Sequence, residues 1–265
     1  MLPFEVAAVG DNCIDKYLPP FGYSAVGGNA VNVAIHLAKL GLKSAYFGAV
    51  GNDADGKRMR DLLADNHLAI EPVRVVPGIT AYTDIEISPS GERKFIFEEF
   101  GVCRGYQPTA NEVAQLKTLR HVHIGWLDDD GALKRDLVAA GVSVSQDITV
   151  NSHIDNLPMA FASAGDAPGD ARQLLQQLLA KGCGIAVVTR GELGSIASDG
   201  HQIVETGITE VEVKDTTGAG DTFIAGFIAC RLSGGSLQLC LNAGRDAAAV
   251  TCTHLGGFPQ ELIMI

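Results

Sequence analysis

The sequence has no apolar run long enough to span a bilayer, and its N-terminus lacks the basic, apolar and small-residue succession of a secretory leader. Both absences argue against a membrane or exported protein, and a cytoplasmic location is expected. Clustered stripes of Lys and Arg are also missing: 31 acidic residues stand against 20 basic ones, for a net charge of −11. Such a chain repels nucleic acid rather than steering it. The six cysteines form no C-x-x-C pair and show no zinc spacing, so most are expected to be buried thiols in a reducing compartment. No internal repeat and no long linker is visible.

What the chain does contain is room for a large core. Its 265 residues allow one large domain or two smaller ones. Apolar periodicity predicts strands over Val6–Val9, Ser44–Val50, Val73–Val76, His121–Ile124, Val142–Asp147, Met159–Ala162 and Ile185–Thr189. Helical patterns occupy Ala30–Leu40, Gly56–Asn66, Asn111–Leu116, Gly131–Ala140, Ala171–Lys181, Ala219–Leu232 and Leu237–Thr251. Strands regularly followed by helices imply an α/β fold with a doubly wound, mostly parallel sheet whose ligands bind at the carboxyl ends of strands. Thr80–Ile87 and Arg93–Phe97 break the alternation and read as antiparallel strands around the turn Pro89-Ser90-Gly91.

The most informative stretch is Lys214-Asp-Thr-Thr-Gly-Ala-Gly-Asp221-Thr-Phe223. Phe223, Ile224, Phe227 and Ile228 recur at helical spacing, so a helix starts near Gly218–Gly220 with a glycine-rich first turn. Small residues let backbone N–H groups approach an anion, and the dipole of a helix N-terminus favours phosphate charge there. Asp221 beside that cradle would repel phosphate unless it accepts the proton of an attacking hydroxyl. The alternative is a helix capped by Thr216 or Thr217, with Asp221 only compensating the dipole. A second stretch, Gly27-Gly-Asn-Ala-Val-Asn-Val-Ala34, ends an extended segment and opens a helix carrying Asn29 and Asn32. Amides both donate to and accept from hydroxyls, which suits a polyol, although Asn caps at a helix start would look the same.

Together these two stretches, with Gly41 and Gly51 following the second, resemble the signatures of the ribokinase, or PfkB, family of carbohydrate kinases. The resemblance implies one ribokinase-like domain over residues 1–265, with a small β-sheet lid formed by residues 15–23 and 76–100 that excludes water from the sugar. It implies Asp221 as catalytic base and the N–H groups of Gly218, Ala219 and Gly220 as the phosphoryl cradle. Asp11, Asp15, Gly28, Asn29 and Asn32 would bind the sugar, a pair of carboxylate oxygens at a strand end being suited to adjacent hydroxyls. Thr189, Gly191, Gly194 and Asn242 would contact ATP. Asp215 and Thr217, with the chain near Thr253–Gly257, match a site for a monovalent cation such as K+. Where many relatives carry N-x-x-E near magnesium-bound water, this chain has Ser163-Ala-Gly-Asp166, so Asp166 would act on Mg2+ indirectly. Lid strands pair between subunits in this family, so a homodimer is expected.

Two features mislead. Gly51-Asn-Asp-Ala-Asp-Gly-Lys57-Arg58 nearly spells a P-loop, yet Arg58 replaces the magnesium-binding hydroxyl and two Asp residues would face the phosphates. His121 and His123 alternate onto one strand face like a metal pair but have no third ligand nearby.

Gly10-Asp-Asn-Cys-Ile-Asp15, the Asn29 stretch and Phe161-Ala-Ser-Ala164 are most similar to the branch of the family that phosphorylates the 6-hydroxyl of fructoselysine and related fructosamines. Glu98, Glu99 or Asp128–Asp130 would then pair with a substrate ammonium, or simply form a solvated acidic surface. A family kinase for ribose, fructose, a keto-deoxy acid or a nucleoside shares the same motifs, and a non-catalytic sugar or nucleotide sensor would keep the fold.

Overall fold

The computed structural model describes residues 2–87, 93–165 and 170–265. The chain opens with β1 (Val6–Val9), β2 (Cys13–Tyr17), β3 (Tyr23–Gly27) and α1 (Asn29–Lys39), then β4 (Ser44–Gly51), α2 (Ala54–Asp65) and β5 (Val73–Val76). β6 (Tyr82–Ile87) and β7 (Arg93–Glu99) follow, then α3 (Ala110–Leu116), β8 (His121–Ile124), α4 (Ala132–Ala139), β9 (Ser143–Asp147), β10 (Met159–Ser163) and α5 (Asp170–Ala180). β11 (Ile185–Thr189), β12 (Ser195–Ser198), β13 (Ile203–Thr206), α6 (Ala219–Leu232), α7 (Leu237–Thr251) and β14 (Ile263–Met264) complete it.

Among the described residues the larger sheet has the order β13-β12-β11-β10-β9-β8-β1-β4-β5, parallel from β11 to β5, with β12 and β13 antiparallel at one edge. Its central strands are buried on both faces, which is why β1 and β4 read as nearly continuous small and apolar runs. Alternation sorts their side chains into two layers. Val6 and Ala8 pack with α1, α2, α6 and α7 through Val33, Met59, Phe227 and Leu241, whereas Ala7 and Val9 face α3, α4 and α5 through Leu116, Leu137 and Leu175. No helix among the described residues is long and apolar enough to cross a membrane.

The second sheet has the order β14-β3-β2-β6-β7, with β2 and β6 parallel and the other pairs antiparallel. β2 and β3 fall on either side of the 15–23 segment, while β13 and the two-residue β14 escape the apolar pattern because they lie at sheet edges with exposed side chains. The turn at Pro89-Ser90-Gly91 lies outside the described residues. α2 begins at Ala54 rather than Gly56 because Asp53 caps it, accepting from the Gly56 N–H at 2.8 Å. Asp53 also accepts from the Thr80 N–H and hydroxyl, and Arg58 donates to the Ser24 hydroxyl and carbonyl. The P-loop-like sequence is thus a capped helix start tied to neighbouring segments. All six cysteines are free thiols; Cys103, Cys183 and Cys240 are buried, while Cys13, Cys230 and Cys252 are partly exposed.

Candidate active site

β1 lies between β4 and β8, so the sheet switches direction there and its carboxyl ends open a crevice. Asp11, in the loop leaving β1, accepts from the backbone N–H of Asn29 (2.7 Å), Trp126 (2.8 Å) and, more weakly, Ala30 (3.4 Å). Its carboxylate therefore holds the start of α1 and ties it to the end of β8. Burial raises its pKa, against the pull of those three donors. Gly125 follows β8 without a side chain because one would collide with Asp11 and crowd Asn29.

α6 starts where the sequence puts it. Gly218 is its N-cap in the left-handed region (φ 71°), with no side-chain cap from Thr216 or Thr217. Asp221, in the first turn, accepts from Asn29 Nδ2 at Oδ1 and from Asn32 Nδ2 at Oδ2, both at 2.7 Å. The two amides expected to grip a polyol thus hold the expected base. Burial is the main cause that pushes the Asp221 pKa up to about 7; the Asn32 and Asn29 donors oppose it, and the charges of Asp147 and Asp11 add to it. Such a carboxyl is matched to accepting a proton near neutral pH.

The cradle is assembled from close backbone contacts. A Cβ on Gly218 would lie 2.5 Å from the Gly257 Cα, and one on Gly257 would lie 2.7 Å from Asn32 Oδ1. His36, one turn further along α1, hydrogen-bonds the Gly257 carbonyl at 2.7 Å, and burial lowers its pKa to about 4, so it does so as a neutral ring. Of the three expected phosphoryl donors, Ala219 directs its N–H to the Thr216 carbonyl (3.2 Å). Gly220 is exposed, and a Cβ there would meet no protein atom within 4 Å. Asp215 accepts from the Thr217 N–H (2.9 Å), the Thr217 hydroxyl (2.7 Å) and the Gly256 N–H (2.9 Å), joining the 215–217 and 253–257 segments.

Asp15 is buried on β2, where its Oδ2 presses on Gly27, leaving 2.5 Å for any Cβ there. Gly28 (φ 103°) crosses Asn12 so closely that a Cβ would fall 2.6 Å from the Asn12 Cα. At the nucleotide end, Thr189 donates its hydroxyl to the Ala162 carbonyl (3.3 Å), and Gly191 (φ 54°) opens a single 3-10 turn through Leu193. Gly194 (φ 81°) is required by packing, since a side chain there would collide with the Thr206 carbonyl. On α7, Gln238 donates to the Glu205 carbonyl and Arg245 to the Thr206 hydroxyl. Asn242 lies between them on that helix, accepting from Gln238 at 3.2 Å. Asp166 lies outside the described residues. Sequence reasoning missed His36, Gly125 and Asp147, and it placed the 253–257 segment only beside Asp215 and Thr217, not under Gly218 and Asn32. It also left His121 and His123 without a role; their ring nitrogens all meet Ser143, Ser145 or Asn29. No cluster of three or more metal-binding side chains occurs among the described residues.

The family model described as pfkB family carbohydrate kinase matches residues 22–127 and 125–260. The chain belongs to that family. Among its relatives, the fructoselysine 6-kinase of Escherichia coli (strain K12) is 33% identical over 96% of this PfkB kinase and 99% of its own length. The fructosamine kinase FrlD of Bacillus subtilis (strain 168) is 28% identical over 96% and 93%. An Arabidopsis thaliana ribokinase solved with ribose and ATP superposes with a TM-score of 0.85 at 22% identity, covering 96% of this chain and 94% of that one, which establishes the ribokinase fold. As a PfkB protein the chain is a carbohydrate kinase.

Proposed function

We propose that this kinase transfers the γ-phosphoryl group of ATP to the primary 6-hydroxyl of fructoselysine or a related fructosamine. The observation that carries the reaction type is the Asp221 carboxylate, gripped by Asn29 and Asn32 beside the glycine-rich start of α6. The acceptor class is supported by the resemblance to the fructoselysine and fructosamine kinases.

In this reading the 6-hydroxyl donates to Asp221, which takes its proton as the new O–P bond forms and the bond to the β-phosphate oxygen breaks, releasing ADP. N–H groups at the start of α6, with Gly220 leaving space above them, receive the charge on the transferring group. Asp15, Asn29 and Asn32 orient the sugar, with Asn32 Oδ1 an acceptor that has no partner among the described residues. ATP lies over the Thr189–Gly194 turn toward Asn242. Among the described residues no cage of metal-binding side chains occurs, and magnesium would arrive largely held by nucleotide phosphates and water. When bound, it neutralises phosphate charge. Asp215 and Thr217 would hold a monovalent cation at the 253–257 loop. The smaller sheet would serve as the lid, and its edge strand β7, which exposes Phe95, Ile96 and Phe97, as the contact of a homodimer.

The test is magnesium-dependent ADP release from ATP across fructoselysine, other fructosamines, fructose, ribose and adenosine. Preference for fructosamines is the expected result. Preference for a plain sugar or nucleoside would keep the mechanism and discard the acceptor; binding without turnover on every acceptor would favour a sensor.

A further inference from the structure

His121 and His123 sit in β8 opposite Ser143 and Ser145 of β9, on the sheet face that carries α1. The polar atoms form one continuous buried file. Ser143 Oγ meets His121 Nδ1, His121 Nε2 meets Ser145 Oγ, and Ser145 Oγ meets His123 Nδ1, each at 2.9 Å. His123 Nε2 then meets Asn29 Oδ1 at 3.0 Å, and Asn29 Nδ2 reaches Asp221 at 2.7 Å. Both histidines are wholly buried, and burial lowers each pKa to about 3, so both rings are neutral and each carries one N–H.

With Asp221 ionised, only one placement of hydrogens satisfies every link. Asn29 must give its N–H to the carboxylate, so its Oδ1 must accept from His123 Nε2–H. The His123 Nδ1 is then an acceptor and takes the Ser145 hydroxyl hydrogen. Ser145 Oγ in turn accepts from His121 Nε2–H, and His121 Nδ1 accepts from Ser143. Every donor points toward Asp221. We propose that Ser143, His121, Ser145 and His123 form a positioning relay that locks the Asn29 amide in the orientation Asp221 needs and, through its aligned donors, favours the ionised carboxylate.

The inference rests on the reading of Asp221 as the base, but its physics does not depend on the acceptor. Hydrogen bonds in series polarise one another, and an amide held by a neutral ring cannot turn its oxygen onto the carboxylate without breaking bonds at both ends. No proton travels along the file, because Asn29 would have to release an amide N–H proton and take one on its oxygen. The charges that face Asp221 are those of Asp11, from the loop after β1, and Asp147, at the end of β9, and both oppose ionisation. α1 contributes only the neutral Asn29 and Asn32 amides. The relay therefore acts on the side of the anion against two carboxylates.

The first two readouts of the test need no substrate. Nitrogen-15 spectra of the purified protein should show His121 and His123 as neutral Nε2–H tautomers at pH 8 to 9, where Asp221 is ionised. Carbon-13 titration of the Asp221 carboxyl should move upward by about 0.5–1 pH unit in Ser145→Ala and in His123→Leu. His123→Gln, which keeps a donor and an acceptor on one side chain, should recover part of that shift. The acid limb of kcat/KM on whichever acceptor is phosphorylated should move with the titration while KM for ATP stays constant. Nδ1–H tautomers, or an unmoved Asp221 midpoint in folded Ser145→Ala, would overturn the relay, and these two readouts suffice should His123→Leu not fold. A shifted titration with no acceptor phosphorylated would leave the relay standing and remove the kinase reading. Normal turnover with an unmoved titration would do the reverse.

Discussion

Asn32 donates its Nδ2–H to Asp221 at 2.7 Å while its own Oδ1 has no hydrogen-bond partner among the described residues, whereas Asn29 has both ends of its amide engaged. The two amides therefore respond differently to a change at position 221. In Asp221→Asn the new amide can accept from Asn29 and donate to Asn32 once the latter turns over. The variant should fold and bind sugar, yet lose the base, so turnover should fall by about 10²–10⁴-fold with sugar affinity largely kept. Single-turnover kinetics beside calorimetric sugar binding would check this; near-normal turnover would remove Asp221 from the base role.

The raised Asp221 pKa fixes a direction for pH. A carboxyl with a folded value of about 7, above its ordinary 3.8, holds a proton in the fold that the unfolded chain releases. Between those two values the folded state binds more protons, so this group's contribution to stability falls as pH rises from about 4 to about 7 and stays lost above. Asp221→Asn should accordingly raise the melting temperature at pH 8 and leave it nearly unchanged at pH 4, with a gain of about 1–3 kcal/mol after solvent screening of a group at the crevice mouth. Activity runs the other way, because the base must be ionised: kcat/KM should climb through an acid limb near pH 7. Equal melting shifts at both pH values would show that the carboxyl is not perturbed in the fold.

Most of the framework is readable in the chain because local pattern and burial agree. The α6 helix, its glycine start and Asp221 follow from the spacing of Phe223, Ile224, Phe227 and Ile228, and β1 and β4 from short apolar runs. What the chain does not display is which distant segments meet. Gly257 matters because it lies under Gly218 and Asn32, and no local signal at Gly256-Gly257 reports that contact. His121 and His123 show the same limit. Their period-two spacing suggests a shared ligand, but the matching period in Ser143 and Ser145 gains meaning only once β8 and β9 pair in register. Gly194 is likewise packed against the Thr206 carbonyl, a contact that its local sequence does not display.

Gly218 and Gly220 should respond in opposite ways to the same substitution. Gly218→Ala forces a side chain into a left-handed backbone and onto Gly257, so it should lose stability by about 1–3 kcal/mol or more. Gly220→Ala meets no protein atom and places a better helix former in α6, so it should melt at the same temperature or gain about 0.5–1 kcal/mol. The added methyl should nevertheless crowd the phosphoryl group and lower kcat. Thermal melts with steady-state kinetics on both variants separate the roles, and a Gly220→Ala enzyme with unchanged kcat would show that the start of α6 is not the cradle.

A monovalent cation at Asp215 and Thr217 would act through the 253–257 segment, which Asp215 holds by the Gly256 N–H and which packs under Gly218. Potassium should therefore raise kcat several-fold over a tetramethylammonium background at equal ionic strength. Sodium should do less, because a smaller ion contracts oxygens whose spacing is set by these backbone ties. Turnover independent of the cation would reduce the Asp215 contacts to loop anchoring.

The last prediction concerns β7, an edge strand of the smaller sheet with large apolar side chains facing solvent: Phe95 at 63% exposure, Ile96 at 45% and Phe97 at 47%. Unpaired edges of this kind are templates for further pairing unless charge or cover blocks them. Phe95 and Phe97 pair with Ile85 and Asp84 across a bulge, which turns Ile96 out of the regular ladder and adds to the exposed apolar area. If the edge is the contact between two copies, Phe95→Lys with Phe97→Lys should convert a dimer to a monomer by light scattering while leaving the melting temperature within a few degrees. Because the same sheet carries Asp15 on β2, the monomer should also show a raised KM for the sugar with KM for ATP little changed. A wild-type protein that runs as a monomer at every concentration would assign those aromatics instead to covering the crevice of their own subunit.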